Sequence, residues 1–174
     1  RHLHPGPVME PLDQPVTSHP PEQVAPLDYR RVIGYGLLVG GITVGWLLVA
    51  CLIGPDAFLN RGVYFATYAF YLVGMYRAAA TVRSESLLPY VRPALLVFVI
   101  ANVCYYLLFY LLFSDPSSAL IERQWELLQG TDAAKSMIWS DLVVTVAGTF
   151  KYFVQSIIGG ALLAVLVAFG LSRR

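Results

Sequence analysis

The sequence predicts an all-α integral membrane protein, a four-helix bundle with an amphipathic interfacial helix between its third and fourth spans. Three observations lead there. Hydrophobic residues make up 57% of the 174-residue chain and charged residues only 13%, about half the charged share of a typical soluble domain. The apolar residues arrive in blocks of about 20, the length a helix needs to cross a hydrocarbon core. The ionisable side chains collect between those blocks. An ordinary soluble enzyme and a disordered chain are excluded as the main reading. A nucleic-acid partner is not expected either, since the net charge is +1 and no basic patch stands out.

Residues 1–28 form a tail. Seven of the 11 prolines lie in it, interspersed with polar residues, a composition that cannot bury a core and resists helix formation. Met9 is the first methionine and the expected initiator, with residues 1–8 read from an upstream frame. The transmembrane domain, 29–174, then opens with a glycine-rich span at about 32–53, ended by Gly54-Pro55. The second span, about 62–80, is the most aromatic, with Tyr64, Phe65, Tyr68, Phe70, Tyr71 and Tyr76. A polar loop leads to the third span, about 93–113, which Asp115-Pro116 closes; the fourth occupies about 152–171.

The connection 114–151 is the only long one. Within it, residues 119–129 read as an amphipathic helix, with Ile121, Trp125 and Leu128 at i, i+4 and i+7 and Glu122, Arg123 and Glu126 elsewhere. Residues 137–150 are expected to extend the fourth helix back to about Asp141, so that it rises clear of the hydrocarbon. Seven arginines (Arg30, Arg31, Arg77, Arg83, Arg92, Arg173 and Arg174) fall on one side, against four basic residues (Arg61, Arg123, Lys135 and Lys151) on the other. The positive-inside rule therefore puts both termini in the cytoplasm of a multi-pass protein.

This layout resembles the domain-of-unknown-function-4199 family of small four-span bacterial membrane proteins. The residues that carry the resemblance are 77–92, the run Asn102-Val-Cys-Tyr-Tyr, Ser114-Asp115-Pro116, 121–128 and 159–174; the proline-rich tail and the scarcity of lysine depart from it. The resemblance implies the fold, the topology and a bacterial inner-membrane location, and it implies no activity.

Few residues offer chemistry. Lys151 sits at the outer interface if the fourth span begins at residue 152, where it reaches water; a span at 142–163 would instead bury it as an unpaired charge. Asn102 lies mid-span, where its amide serves as a cross-helix hydrogen-bonding group; a transport site would need company, for which Tyr68, Tyr71 and Tyr105 are the candidates. Asp115 reads as a helix stop, with a metal role beside Glu122 and Glu126 as the weaker alternative. The pair His2 and His4 is a similarly weak metal motif. Cys51 and Cys104 lie in apolar blocks and behave as small hydrophobes.

Two rows of small residues carry packing. Gly34, Gly41 and Gly45 share a face of the first span, with Gly36 and Gly40 as another close-approach pair. Ser156, Gly160, Ala164 and Ala168 repeat every four residues in the fourth span. Such rows let backbones approach where lipid supplies no hydrophobic drive between helices. All three histidines precede residue 20, which removes bis-His haem, His catalysis and His proton relays from the membrane part. Without intramembrane carboxylates, ion-coupled transport has no carrier. No nucleotide-binding or hydrolase motif occurs. The expected role is thus a non-enzymatic structural or accessory protein without a cofactor, whose partners are the lipid bilayer and either itself or a larger membrane complex. A small transporter or channel for an apolar or weakly polar solute is the alternative.

Overall fold

A computed structural model describes residues 27–82, 84 and 86–173. The expectations for residues 1–26, including Met9 and the three histidines, and for Arg83 and Arg174 lie outside those residues. Among the described residues there are six α-helices and no strand: α1 Tyr29–Ile53, α2 Pro55–Phe58, α3 Arg61–Ala79, α4 Leu88–Phe113, α5 Ala119–Leu128 and α6 Val146–Ser172. Three of them, α1, α4 and α6, are long and apolar enough to cross a membrane.

The helix starts follow local chemistry. Asp28 caps α1 by accepting from the Arg31 amide at 3.2 Å, so Leu27 and Asp28 belong to the helical domain and not to the tail. Gly54 ends α1 at φ 143°, a backbone conformation that glycine adopts without a Cβ penalty, and Asn60 caps α3 through the Gly62 amide. Ser118 and Thr145 cap α5 and α6 in the same way.

Two boundaries differ from the sequence reading. Helix α4 begins at Leu88 rather than near Pro93, which lies inside it. The residues ahead of Pro93 are pinned, because the Tyr90 hydroxyl donates to the Ser84 carbonyl at 2.8 Å and accepts from its amide at 3.1 Å. As the sixth residue of α4, Pro93 removes one backbone bond, that to the Pro89 carbonyl. Helix α6 starts at Val146, not Asp141. Residues 139–142 instead form a 3₁₀ turn, in which the Asp141 carboxylate accepts from the Ile138 amide, and the Val144 amide donates to Phe113 at the end of α4.

Helix α4 is the hub, packing against α1, α3 and α6. One core cluster joins Val32 and Val39 of α1, Tyr71, Met75 and Ala78 of α3, Ala94, Val97, Phe98 and Ala101 of α4, and Ala164 and Ala168 of α6. A second cluster, at the opposite end from the chain termini, gathers Leu47, Phe58, Leu108 and Phe113 with Leu120 and Ile121 of α5. The apolar face of α5 thus packs on the protein itself, with Trp125 edge-on to Trp139 at 6.0 Å. Arg123 ties α5 to α2 by donating to Asp56 at 2.6 Å, and it also donates to Glu126 at 2.6 Å.

The glycine seam in α1 is not the row of three. A Cβ on Gly34, Gly41 or Gly45 would meet nothing within 4 Å, whereas one on Gly36 would press on Ile100 and one on Gly40 on Cys104 and the Ala101 backbone. The inward face is set by Val32, Val39, Thr43 and Leu47, which share it with Gly36 and Gly40; Gly34, Gly41 and Gly45 fall on the uncovered side. In α6 the row lies as expected. Gly160, Ala164 and Ala168 are buried, and Phe98 fills the space where a Gly160 side chain would go.

A tyrosine-lined cavity between three helices

Helix α3 carries four tyrosines in its 19 residues, and the structure shows where three of those rings go. Tyr64, Thr67, Tyr68 and Tyr71 of α3 converge with Asn102, Tyr105 and Tyr106 of α4 and Ser156 of α6 on a cavity of about 450 Å³. Such a volume lies within the range of small-molecule pockets. The cavity occupies the half of the helix assembly nearer α5, and Phe98, Gly160 and Leu163 line it as well. Tyr68 and Leu162, both lining residues, are largely exposed, so the cavity opens sideways between α3 and α6.

Asn102 is buried at 5% exposure. Its Nδ2 donates to Ser156 Oγ at 2.5 Å, while the Ser156 hydroxyl donates to the Phe153 carbonyl at 2.6 Å. The serine proton is therefore committed to α6, so the serine oxygen must accept, which fixes the amide orientation. The Asn102 Oδ1 is left without a donor among the described residues. The Tyr71 hydroxyl is buried, in a residue 5% exposed, and has no partner among the described residues. Tyr106 donates to the Tyr152 carbonyl at 3.1 Å. Tyr71 and Phe98 lie with ring centres 5.3 Å apart, and Tyr105 and Tyr106 meet edge-on at 5.0 Å. None of the lining residues is ionisable near neutral pH. The site can hold a ring and exchange neutral hydrogen bonds, and its lining contains no His, Cys, Lys, Arg, Asp or Glu.

The structure brings Asn102 together with Tyr68, Tyr71 and Tyr105 and adds Ser156, which the sequence reading placed only in a packing row. Thr67 and Tyr64 went unassigned, although the three- and four-residue spacing of 64, 67, 68 and 71 marks one helix face. The remaining candidates lie elsewhere. Lys151 is exposed in the second turn of α6 and forms no ion pair among the described residues. Asp115 sits beyond the end of α4 and accepts from the Ser117 hydroxyl at 2.7 Å and amide at 2.9 Å, which hold its carboxyl below the usual carboxylate range. Glu126 is bonded to Arg123, and no group of three metal-ligating side chains assembles among the described residues.

No protein-family model matches this sequence, and it has no match among the curated proteins or among the solved structures.

Proposed function

We propose that the chain is a four-span integral membrane protein that takes a small, uncharged, weakly polar solute into the α3–α4–α6 cavity and passes it along without altering it chemically. The observation that carries the reading is the convergence of Asn102, Ser156 and the tyrosine hydroxyls on one cavity at mid-helix depth. Hydroxyls and an amide at such a depth are costly in lipid unless something pairs with them. Packing accounts for the Asn102–Ser156 pair, and the tyrosine hydroxyls gathered beside it go beyond what a scaffold needs.

The fourth span is α3. Its 19 residues extend about 28 Å, close to the hydrocarbon thickness, and its only ionisable groups charged at neutral pH are Arg61 and Arg77 towards its two ends. The distribution of arginine supports cytoplasmic termini, with the cavity in the outer half and α5 at the outer interface. The resemblance to the domain-of-unknown-function-4199 family is the ground for a bacterial inner membrane.

The accessory role survives as a second reading on one observation. Gly34, Gly41 and Gly45 line a face of α1 that no other element among the described residues covers, which suits close approach by a second copy or a larger complex.

Photolabelling separates the two roles. Reconstituted protein exposed to 3-azioctanol, a neutral diazirine alcohol, is expected to carry label on peptides containing Tyr64–Tyr71 and Tyr105–Tyr106, and excess octanol should displace it. Label confined to the outward faces of α1 and α6, unaffected by competitor, would contradict solute binding.

A further inference from the structure

We infer that the cavity selects a membrane-soluble phenol: a neutral aromatic ring bearing one hydroxyl, its alkyl tail trailing through the opening between α3 and α6. This deepens the solute-binding reading and rests on it.

The hydrogen-bonding groups left over define the head. The Asn102 Oδ1 can only accept, and its Nδ2 gives one of its two hydrogens to Ser156. Tyr71 lines the same cavity, and its hydroxyl, buried and without a partner among the described residues, can donate. A ligand that satisfies both must offer a donor and an acceptor, and a phenolic hydroxyl offers both on one oxygen. A ketone or ether would leave the asparagine oxygen unsatisfied, and a hydrocarbon would leave both groups so.

The walls define the body. The rings of Tyr71, Phe98, Tyr105 and Tyr106 surround the space, and aromatic faces and edges favour another ring over an alkyl chain of equal area. With no charged residue lining it, the site would strand an ionised head such as a benzoate. The rim defines the route. Tyr68 and Leu162 line the opening and are 53% and 65% exposed, on a surface that in a membrane faces lipid, so an alkylated ring can enter from the bilayer itself.

The test is competition for the 3-azioctanol label in protein held in mild detergent, using 4-hexylphenol, 4-hexylanisole, hexylbenzene and 4-hexylbenzoate. Hexylphenol is expected to compete about ten-fold better than hexylanisole, as one neutral hydrogen bond warrants, hexylanisole in turn better than hexylbenzene, and hexylbenzoate to compete least. Asn102→Leu should erase the preference for hexylphenol over hexylanisole, and Tyr71→Phe, which keeps the ring, the preference for hexylanisole over hexylbenzene, each leaving hexylbenzene unchanged, a result that simple loosening of the fold would not give. If Asn102→Leu does not fold, Tyr71→Phe decides alone. Equal competition by hexylphenol, hexylanisole and hexylbenzene would overturn phenol selectivity yet keep a solute site. No competition by any of them, with the cavity unlabelled, would overturn the solute site as well.

Discussion

Helix α4 faces two neighbourhoods, and they pack in opposite ways. Towards α1 it is sealed. Gly36 and Gly40 admit Ile100 and Cys104 so closely that a single methyl group would collide, and Thr43, Leu47 and Val97 are almost fully buried. Towards α3 and α6, tyrosines hold the backbones apart and leave about 450 Å³. Lower down, where Gly160, Ala164 and Ala168 replace Ser156 on the facing side of α6, the gap closes again over Phe98. Approach distance in this protein is thus set by side-chain size at three or four positions. A sealed face gives stability; the propped-open face gives up contact and retains polar groups for another use.

The largest effect should come from breaking the sealed side. Gly40→Leu, with its Cβ 3.3 Å from the Ala101 Cα, is expected to cost about 1–3 kcal/mol or to prevent folding, as overpacked interiors do. Gly160→Leu, which drives into Phe98, should behave alike. Gly41→Leu, one residue away with nothing within 4 Å, should stay within about 0.5 kcal/mol in denaturant titrations of detergent-solubilised protein. If a second copy docks on that face, Gly41→Leu should instead abolish cross-linked dimers while leaving the monomer intact.

A smaller effect belongs to the open side. Ser156→Ala removes the acceptor of the Asn102 amide and should cost about 0.6 kcal/mol, the average for such bonds in membrane proteins. A loss of several kcal/mol would mean that the bond, and not the small-residue row, holds α6 to α4.

The smallest effect lies outside both faces. The Ser117 hydroxyl and amide lower the pKa of the fully exposed Asp115, so the carboxyl should titrate below the ordinary aspartate value of about 3.9. Whatever stability it adds is present above that ordinary value and is lost as pH falls through the lowered one. Ser117→Ala should move the titration, followed by NMR, back towards the ordinary value. No movement would assign the shift to the backbone amide alone.

Much of the fold was legible because membrane spans are written in block hydropathy, and the three most apolar helices carry it. Helix α3 reads less plainly, since its tyrosines lower the apolar signal while serving the cavity. Pro93 misled because proline marks a helix start in isolation, and the contact that carries α4 further back, Tyr90 to Ser84, depends on how a loop folds over. Glycine spacing was visible in α1, but which face turns inward depends on the neighbours at 32, 39, 43 and 47, a pattern present in the sequence and outweighed by the longer glycine row. Asn102 and three of its tyrosine companions could be named from the sequence. The cavity could not, because it arises from three helices far apart in the chain, and Ser156 shows its second use only once α6 is placed against α4.

Two threonines offer the most direct comparison of the two neighbourhoods. Thr43 is buried in the sealed α1–α4 side, and Thr67 is 6% exposed on the wall of the cavity. With Cys51 and Cys104 replaced by alanine, Thr67→Cys and Thr43→Cys would each be treated with a small neutral maleimide in reconstituted membranes. Thr67→Cys is expected to react readily and to be protected by 3-azioctanol, and Thr43→Cys to remain unmodified until the protein is denatured. Equal reactivity at the two positions, or a Thr67→Cys that reacts only after denaturation, would contradict a solute-accessible cavity between α3, α4 and α6.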